Sequence, residues 1–215
     1  MYIYTLYMVK RVTNAVATQL ARGPILAAAM QVFAKHGIDD TRVEDILVAA
    51  NIARRTFYKY FSSKEDVLAA LYEVATGELV RSIEDERKRE PSSPLAGIHR
   101  GIEAYLDFHD SVPGLRELIE LGLRSSSQLA PRRRWLRDEL VRIMDEAVRE
   151  LDGRRLDPLV YYGLLSALEG LSLQVLDDGA KPADLERARK VIHALLDQAL
   201  GVRGGYELPT ARARR

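Results

Sequence analysis

The chain contains no cysteine. Disulfides, thiolate catalysis, cysteine zinc sites and thiol redox sensing are therefore excluded, and a reducing cytoplasm is compatible. It has no run of about 18 apolar residues, so no transmembrane helix and no membrane partner are expected. The opening MYIYTLYMVKR is partly apolar, but no basic region precedes it and no small-residue cleavage site follows, so it is not read as a signal peptide. Met8 offers an alternative start. The four histidines are scattered without a His-x-x-x-His pair, and neither a P-loop nor a glycine-rich dinucleotide fingerprint is present. No alternating apolar run bounded by turns argues for a strand, and no internal repeat is evident. No cofactor or metal is expected.

A strong charge of either sign is also missing. The 215 residues carry 32 Lys/Arg against 31 Asp/Glu, a formal net charge of +1. The distribution is uneven. Residues 1–70 hold nine basic and six acidic residues, and within 51–64 there are four basic and none acidic. Nucleic-acid binding needs such local positive charge rather than a basic whole chain. With 47% hydrophobic and 29% charged residues the composition is that of a globular chain long enough for one large or two smaller cores.

The spacing of apolar residues predicts helices throughout. Residues 1–22 have weak periodicity and are expected to be a flexible arm, becoming helical toward its end. Lys10, Arg11 and Arg22 suit it either to phosphates or to a solvated tail. A helix is expected over about 24–36, with Ile25, Ala28, Ala29, Val32 and Phe33 on one face and Gly37 as its C-terminal cap. Thr41 and Glu44 read as a capping box that opens the next helix. Val43, Ile46, Leu47 and Ala50 face inward, and Asn51 suits the left-handed turn that follows. A third helix is expected from about Ala53 to Phe61. Phe57 and Phe61, at i and i+4, face the core and leave Arg54, Arg55, Tyr58 and Lys59 outside. Ser62 and Glu65 read as a second capping box, opening a helix to about Arg89 whose length suits a strut.

Beyond it, Ser93 and Pro94 read as N-cap and first residue of a helix that SVPG (111–114) breaks. A shorter helix to about Leu123, a linker over 124–131, and helices over about 131–151, 158–176 and 182–200 follow. Gly153, Gly179 and Gly201 stand at the ends of those three. The tail 202–215 is polar, basic and expected to be disordered.

The block GIDDTRVEDILVAANIARRTFYKYFSSKEDVL (37–68) resembles the DNA-binding domain of the TetR family of bacterial transcriptional regulators. The shared pattern is a glycine, a Thr-opened helix, a turn, a recognition helix ending Tyr-x-Tyr-Phe, and a Ser-x-Lys-Glu opening. The resemblance implies an all-α fold: a three-helix helix-turn-helix domain over 23–70 and a ligand-binding and dimerisation domain over 71–201, about nine helices in all. It implies a homodimer paired through its last two long helices and a recognition helix in the major groove. By position, Thr41 and Lys64 are implied to touch phosphates, Arg54, Arg55 and Thr56 to lie near base edges, Tyr58 to meet a base or backbone group, and Lys59 and Tyr60 the backbone. Tyr60 has packing against the first helix as its alternative.

Three positions depart from the family pattern. The turn glycine is Asn51. A serine at the recognition-helix start is Ala53, and its lost hydroxyl cap costs on the order of 1 kcal/mol, leaving an N–H for phosphate or water. A small hydroxyl residue is Arg42, which adds either a DNA contact or a solvated charge. The physics agrees with the resemblance, since arginine pairs bidentately with guanine and lysine sets register on phosphate.

One such unit buries too little surface for tight binding, so a dimer reading two half-sites is expected. Gly163, Ala167 and Gly170, at i, i+4 and i+7, allow either a partner helix or a helix of the same chain to approach closely. Val191, Leu195 and Leu196 on the last helix complete the candidate interface. Tyr105, Phe108, His109, Trp135, Tyr162 and Glu169 are the candidate ligand-pocket residues, each with a core or interface role as its alternative. A buried Glu169 requires a cationic partner or protonation. Arg132, Arg133, Arg134 and Arg137 form a basic cluster, either solvated or facing an acidic ligand or partner. The sequence thus points to a cytoplasmic, DNA-binding transcriptional regulator: a repressor released from double-stranded operator DNA by a small-molecule effector. The alternative is a regulator, or activator, controlled by a protein partner. An all-helical enzyme is the remote alternative, and no motif supports it.

Overall fold

Pro and Ser/Asp pairs open helices in this chain and Gly or Asn close them, because proline needs no N–H at the first helical position and a left-handed cap tolerates few other residues. The computed structural model describes residues 10–16, 22–89, 93–111, 129–176 and 182–202, with 109–111, 172–176 and 182 described by their backbone only. These residues form nine helices and, among the described residues, no strand: α1 (10–16), α2 (Gly23–His36), α3 (Val43–Ala50), α4 (Arg54–Tyr60), α5 (Lys64–Lys88), α6 (Pro94–Ser111), α7 (Ala130–Asp152), α8 (Pro158–Leu176) and α9 (Pro182–Leu200). The all-α class implied by the sequence is the class observed. The short helix expected to about Leu123 lies outside the described residues, as does the tail from 203.

Capping follows local chemistry. Ser93 Oγ accepts the Ala96 N–H at 3.1 Å ahead of α6, and Asp157 Oδ1 accepts the Leu159 N–H at 2.8 Å ahead of α8. Asn51, at φ 51° and ψ 49°, closes α3. The Ile52 N–H then reaches Leu47 O at 3.1 Å, so the last carbonyls of α3 are satisfied inside the turn. No helix among the described residues is long and apolar enough to cross a membrane.

The chain divides into two compact units, Met1–Arg81 with Asp107–Glu139, and Ser82–Leu106 with Leu140–Arg215. The first holds α1 to α4 and most of α5. Its core comprises Ile25, Leu26, Ala29 and Phe33 of α2, Ile46 of α3, Phe57 and Phe61, and Val67, Leu68 and Leu71 of α5. Each of these side chains larger than alanine contributes about 1.5–3 kcal/mol by leaving water. α1 lies within residues 1–22, the arm expected to become helical toward its end, and it is packed against the unit. Its Val12 and Val16 are 3% and 1% exposed, and Arg11 Nε meets the buried Glu78 carboxylate at 3.2 Å. Two valines four residues apart are too short a pattern to announce that docking.

In the second unit, the last turns of α5 approach α6 closely. A Cβ at Gly97 would stand 2.7 Å from Arg87 O, and one at Gly101 would stand 3.3 Å from Ile83 Cγ2, so the two glycines on α6 permit the contact. Val148, Tyr161, Leu196 and Leu200 join α7, α8 and α9 in one cluster. Between α6 and α9 lies a polar chain: Asp197 Oδ1 is 3.0 Å from His99 Nε2, His99 Nδ1 is 2.6 Å from His193 Nδ1, and His193 Nε2 is 2.5 Å from Glu103 Oε1, with Arg189 also on Glu103.

Burial, reinforced by His193, holds the His99 ring below the ordinary histidine value against the pull of Asp197. Its folded pKa is thus lower than its unfolded one, and the unfolded chain takes up the proton first on acidification. Stability is therefore complete above the unfolded value of about 6.5 and is lost as pH falls through it. The urea midpoint is expected to fall between about pH 7.5 and about pH 5.5, with a smaller fall in His99→Gln. Equal midpoints at the two pH values would contradict the assignment.

Candidate nucleic-acid interface and effector cavity

α4 is seven residues long and amphipathic by necessity. Phe57 is fully buried and Phe61, just past its end, is 3% exposed, their ring centroids 5.9 Å apart. The Arg22 guanidinium lies 4.4 Å from the centre of the Phe61 ring, a cation–π contact that fastens the start of α2 to the end of α4. With that side fixed, Arg54, Arg55, Thr56, Tyr58 and Lys59 are all exposed. Tyr58 is edge-on to Phe57 at 5.3 Å and still 49% exposed, so its ring is braced while about half of the residue stays open. Tyr60 is half-buried, with Lys59 Nζ 5.2 Å from its ring centre. Four of the expected DNA-facing groups, Arg54, Arg55, Tyr58 and Lys59, thus share one face of one short helix.

The edges of the unit depart from the expected capping. Thr41 does not cap α3. It is 1% exposed, and its hydroxyl donates back to Gly37 O at 2.6 Å. The N-cap is Arg42, whose backbone N–H is taken by Asp45 Oδ2 at 2.8 Å, so Asp45 fills the carboxylate role expected of Glu44. Glu44 instead pairs with the Arg54 guanidinium. The second box shifts likewise: Asp66, not Glu65, receives the Ser62 N–H at 3.0 Å and the Ser62 hydroxyl, while Ser63 Oγ accepts the Asp66 N–H at 3.2 Å. The Ser62 hydroxyl, then its N–H, hold the Asp66 carboxyl below the usual range. Two acidic residues adjoin at each site, Glu44–Asp45 and Glu65–Asp66, so a one-residue shift of register is equally compatible with the sequence.

Lys64 carries a role that spacing did not reveal. Its ammonium donates to Ile38 O at 2.9 Å, Asp39 O at 3.0 Å and Thr41 O at 2.8 Å, which engages all three N–H donors. A phosphate contact at Lys64 requires release of one of them. Arg42 is exposed at the N-cap of α3. Val48, 82% exposed, adds an apolar outward side chain on the same helix.

The second unit holds an apolar cavity of about 90 Å3 among α5, α6, α7, α8 and α9. Ile98, Ile102, Ile143, Met144, Leu164 and Leu195 are among its walls, and Arg87 is its one cationic lining residue. Of the residues expected in a pocket, Tyr105 lines this cavity. Phe108 is fully buried without lining it, Trp135 is 44% exposed in the first unit, Tyr162 and Glu169 are half-buried elsewhere on α8, and the His109 side chain lies outside the described residues. Ala167 and Leu195, expected at a dimer interface, also line the cavity, and Leu196 sits in the core cluster of its own chain. Val191 is half-buried. Gly163 and Gly170 are exposed, and a Cβ at either meets nothing within 4 Å.

A short, core-anchored helix following a left-handed turn, with a basic and aromatic outer face, defines a helix-turn-helix protein. The model of the bacterial regulatory proteins of the tetR family matches residues 25–71, the segment just described. Over that segment the chain is similar to the TetR family. It is 31% identical over 104 residues to the HTH-type transcriptional regulator EthR of Mycolicibacterium smegmatis, covering 48% of each chain. It is 32% identical over 109 residues to the fatty acid metabolism regulator protein of Bacillus subtilis, covering 44% of this chain and 56% of that one. The chain thus spans about half the length of the curated relatives it matches. The solved structure of the fatty acid degradation regulator FadR from Bacillus halodurans shares the fold, with a TM-score of 0.67 at 23% identity over 85% of this chain and 95% of that one.

Replacing Lys64 by Met removes the clamp on the α2–α3 loop and leaves three carbonyls to find water. A loss of about 1–3 kcal/mol in urea unfolding is expected, together with weaker DNA binding. Wild-type stability in Lys64→Met would refute a clamp role.

Proposed function

We propose that this chain is a sequence-specific DNA-binding transcriptional regulator, a dimeric repressor released from its operator by a small apolar effector. The observation that carries the reading is the single face of α4 on which Arg54, Arg55, Tyr58 and Lys59 stand exposed while Phe57 is buried behind them. Arg54, Arg55 and Thr56 read base edges, Arg55 and Arg54 being suited to guanine O6 and N7. Lys59, Tyr58, Tyr60 and Arg42 set register on the backbone. Glu44 holds Arg54 in the free protein and exchanges it for DNA. Thr41 and Lys64 act on phosphate or by shaping the loop beside it.

We assign 23–70 to DNA binding and 71–201 to effector binding and dimerisation, in the cytoplasm and without enzymatic activity. The name of the Bacillus subtilis relative, a fatty acid metabolism regulator, accords with an apolar effector. Effector release requires that the molecule bind the DNA-competent and incompetent states unequally. α5 contributes residues to both compact units and is the covalent route for that difference. The dimer forms on the exposed face of α8, where Leu159 is 74% exposed beside Gly163, Ser166 and Gly170.

DNA binding is expected to weaken steeply with salt. Lys59→Ala should lower affinity about equally across sequences and reduce the salt slope by about 1, whereas Arg54→Ala should relax base preference. Unchanged operator affinity in both variants would refute the assignment of α4. A Cβ at Gly163 meets nothing within 4 Å and the residue is exposed, so Gly163→Arg should fold normally. It should sediment as a monomer and bind operator about 100-fold more weakly or worse, through loss of the second half-site. A persistent dimer would place the interface elsewhere.

A further inference from the structure

Glu44 stands apart from the acidic residue beside it. Asp45 takes the Arg42 N–H at 2.8 Å and so serves the start of α3. Glu44 has no such duty. Its carboxylate reaches across the turn to the guanidinium of Arg54, the first residue of α4. Both side chains stay open to solvent, Glu44 at 55% and Arg54 at 61% exposure. Val48, one helical turn further along the same strip of α3, is 82% exposed, so the strip is uncovered beyond Glu44 as well. The outer face of the unit thus runs from α4 onto α3, and a carboxylate sits at the join.

A carboxylate at that place is unfavourable on a DNA-binding face unless a base takes it up. Phosphates repel it, and the cation it meets, Arg54, is the residue that donates to guanine O6 and N7 when α4 reads DNA. Once Arg54 turns to guanine, the Glu44 carboxylate needs another donor, because a charged acceptor pressed against DNA without one loses its hydration uncompensated. Base edges in the major groove offer donors of one kind, the exocyclic amines at cytosine N4 and adenine N6. Guanine and thymine present acceptors there. Adenine sets its N7 acceptor beside its amine, whereas cytosine presents the amine alone, so cytosine suits a carboxylate best. Reach then fixes the position. Successive base pairs stand about 3.4 Å apart, and the Glu44 and Arg54 side chains are in contact.

We infer that Glu44 is a base-reading residue, accepting a hydrogen bond from the N4 amine of a cytosine in, or directly beside, the base pair whose guanine Arg54 takes. The inference rests on the reading of α4 as the recognition helix. The exchange conserves charge: one ion pair opens, and both of its members find partners on base edges. Glu44 also acts by exclusion, since guanine or thymine at that position sets an acceptor against the carboxylate.

Selection of bound duplexes from a random pool, with the full chain and its Glu44 variants, tests the inference. The wild type is expected to enrich in each half-site a cytosine, favoured about tenfold over the other bases, in or next to the pair that carries the Arg54 guanine. Glu44→Ala is expected to lose the cytosine preference and keep the guanine. Glu44→Gln is expected to exchange cytosine for adenine, because an amide pairs with adenine N6 and N7 together. A residue that only held Arg54 in place would give the opposite pattern, with the guanine preference blurred and the cytosine untouched. Glu44→Gln keeps the shape of the side chain, so its comparison with the wild type stands even if Glu44→Ala fails to fold. The same enriched bases in the wild type and both variants, blurring confined to the guanine, or no gain of adenine in Glu44→Gln would each overturn the role of Glu44 and leave the regulator reading intact. A pool that the wild type does not enrich at all overturns that reading, and this inference with it.

Discussion

The burial of Phe57 and Phe61 is the constraint on which the helix-turn-helix unit depends. α4 is too short to hold a helical conformation by its own hydrogen bonds, since isolated helices below about 12–15 residues are marginal in water. It lacks a side-chain cap at Ala53 as well. Its conformation and orientation are therefore set from outside, by two rings in the core, by the cation–π contact from Arg22, and by the turn that Asn51 makes possible. Once the rings are placed, Arg54, Arg55, Tyr58 and Lys59 are left facing outward. The outward side of the helix is basic and aromatic because its inward side is phenylalanine.

The second unit obeys a different constraint. Its helices bury ionisable groups in compensated sets rather than excluding them. Glu103 shows this in its titration: burial pushes its carboxyl up, but the His193 hydrogen bond and Arg189 outweigh that and hold it below the usual range. Tyr161, in the core of the same unit, is pushed up by burial while its hydroxyl reaches Asp145 at 3.2 Å. Arg87 is the member of these sets that keeps one donor unmatched, and it is the member that borders a cavity.

What could be read from the sequence was what is local. Helix ends at Gly37, Asn51, Gly153 and Gly201 follow from backbone permissiveness, and the two Pro-opened helices α6 and α8 follow from their N-caps. The inward placement of Phe57 and Phe61 follows from their spacing of four. The capping boxes were legible only to within a residue, because Thr41–Arg42 and Ser62–Ser63 each offer two registers. Contacts made across long stretches of chain were not legible. Lys64 reaching carbonyls some 25 residues earlier, Arg54 turning to Glu44, and His99 meeting His193 join residues that nothing local pairs. The cavity belongs with them. Aromatic residues suggested its lining, yet its walls are chiefly aliphatic, and which of several apolar helix faces leaves a gap depends on packing.

The central claim is that α4 reads DNA, twice over, in a dimer. Selection of bound duplexes from a random pool by the full chain tests it most directly. The account predicts enrichment of a two-fold symmetric site with half-sites centred about one helical turn, roughly 34–36 Å, or a multiple of it apart. It further predicts that Arg54→Ala shifts the enriched bases within each half-site. A pool that shows no enrichment, or an enriched site that is the same for the wild type and Arg54→Ala, would contradict it.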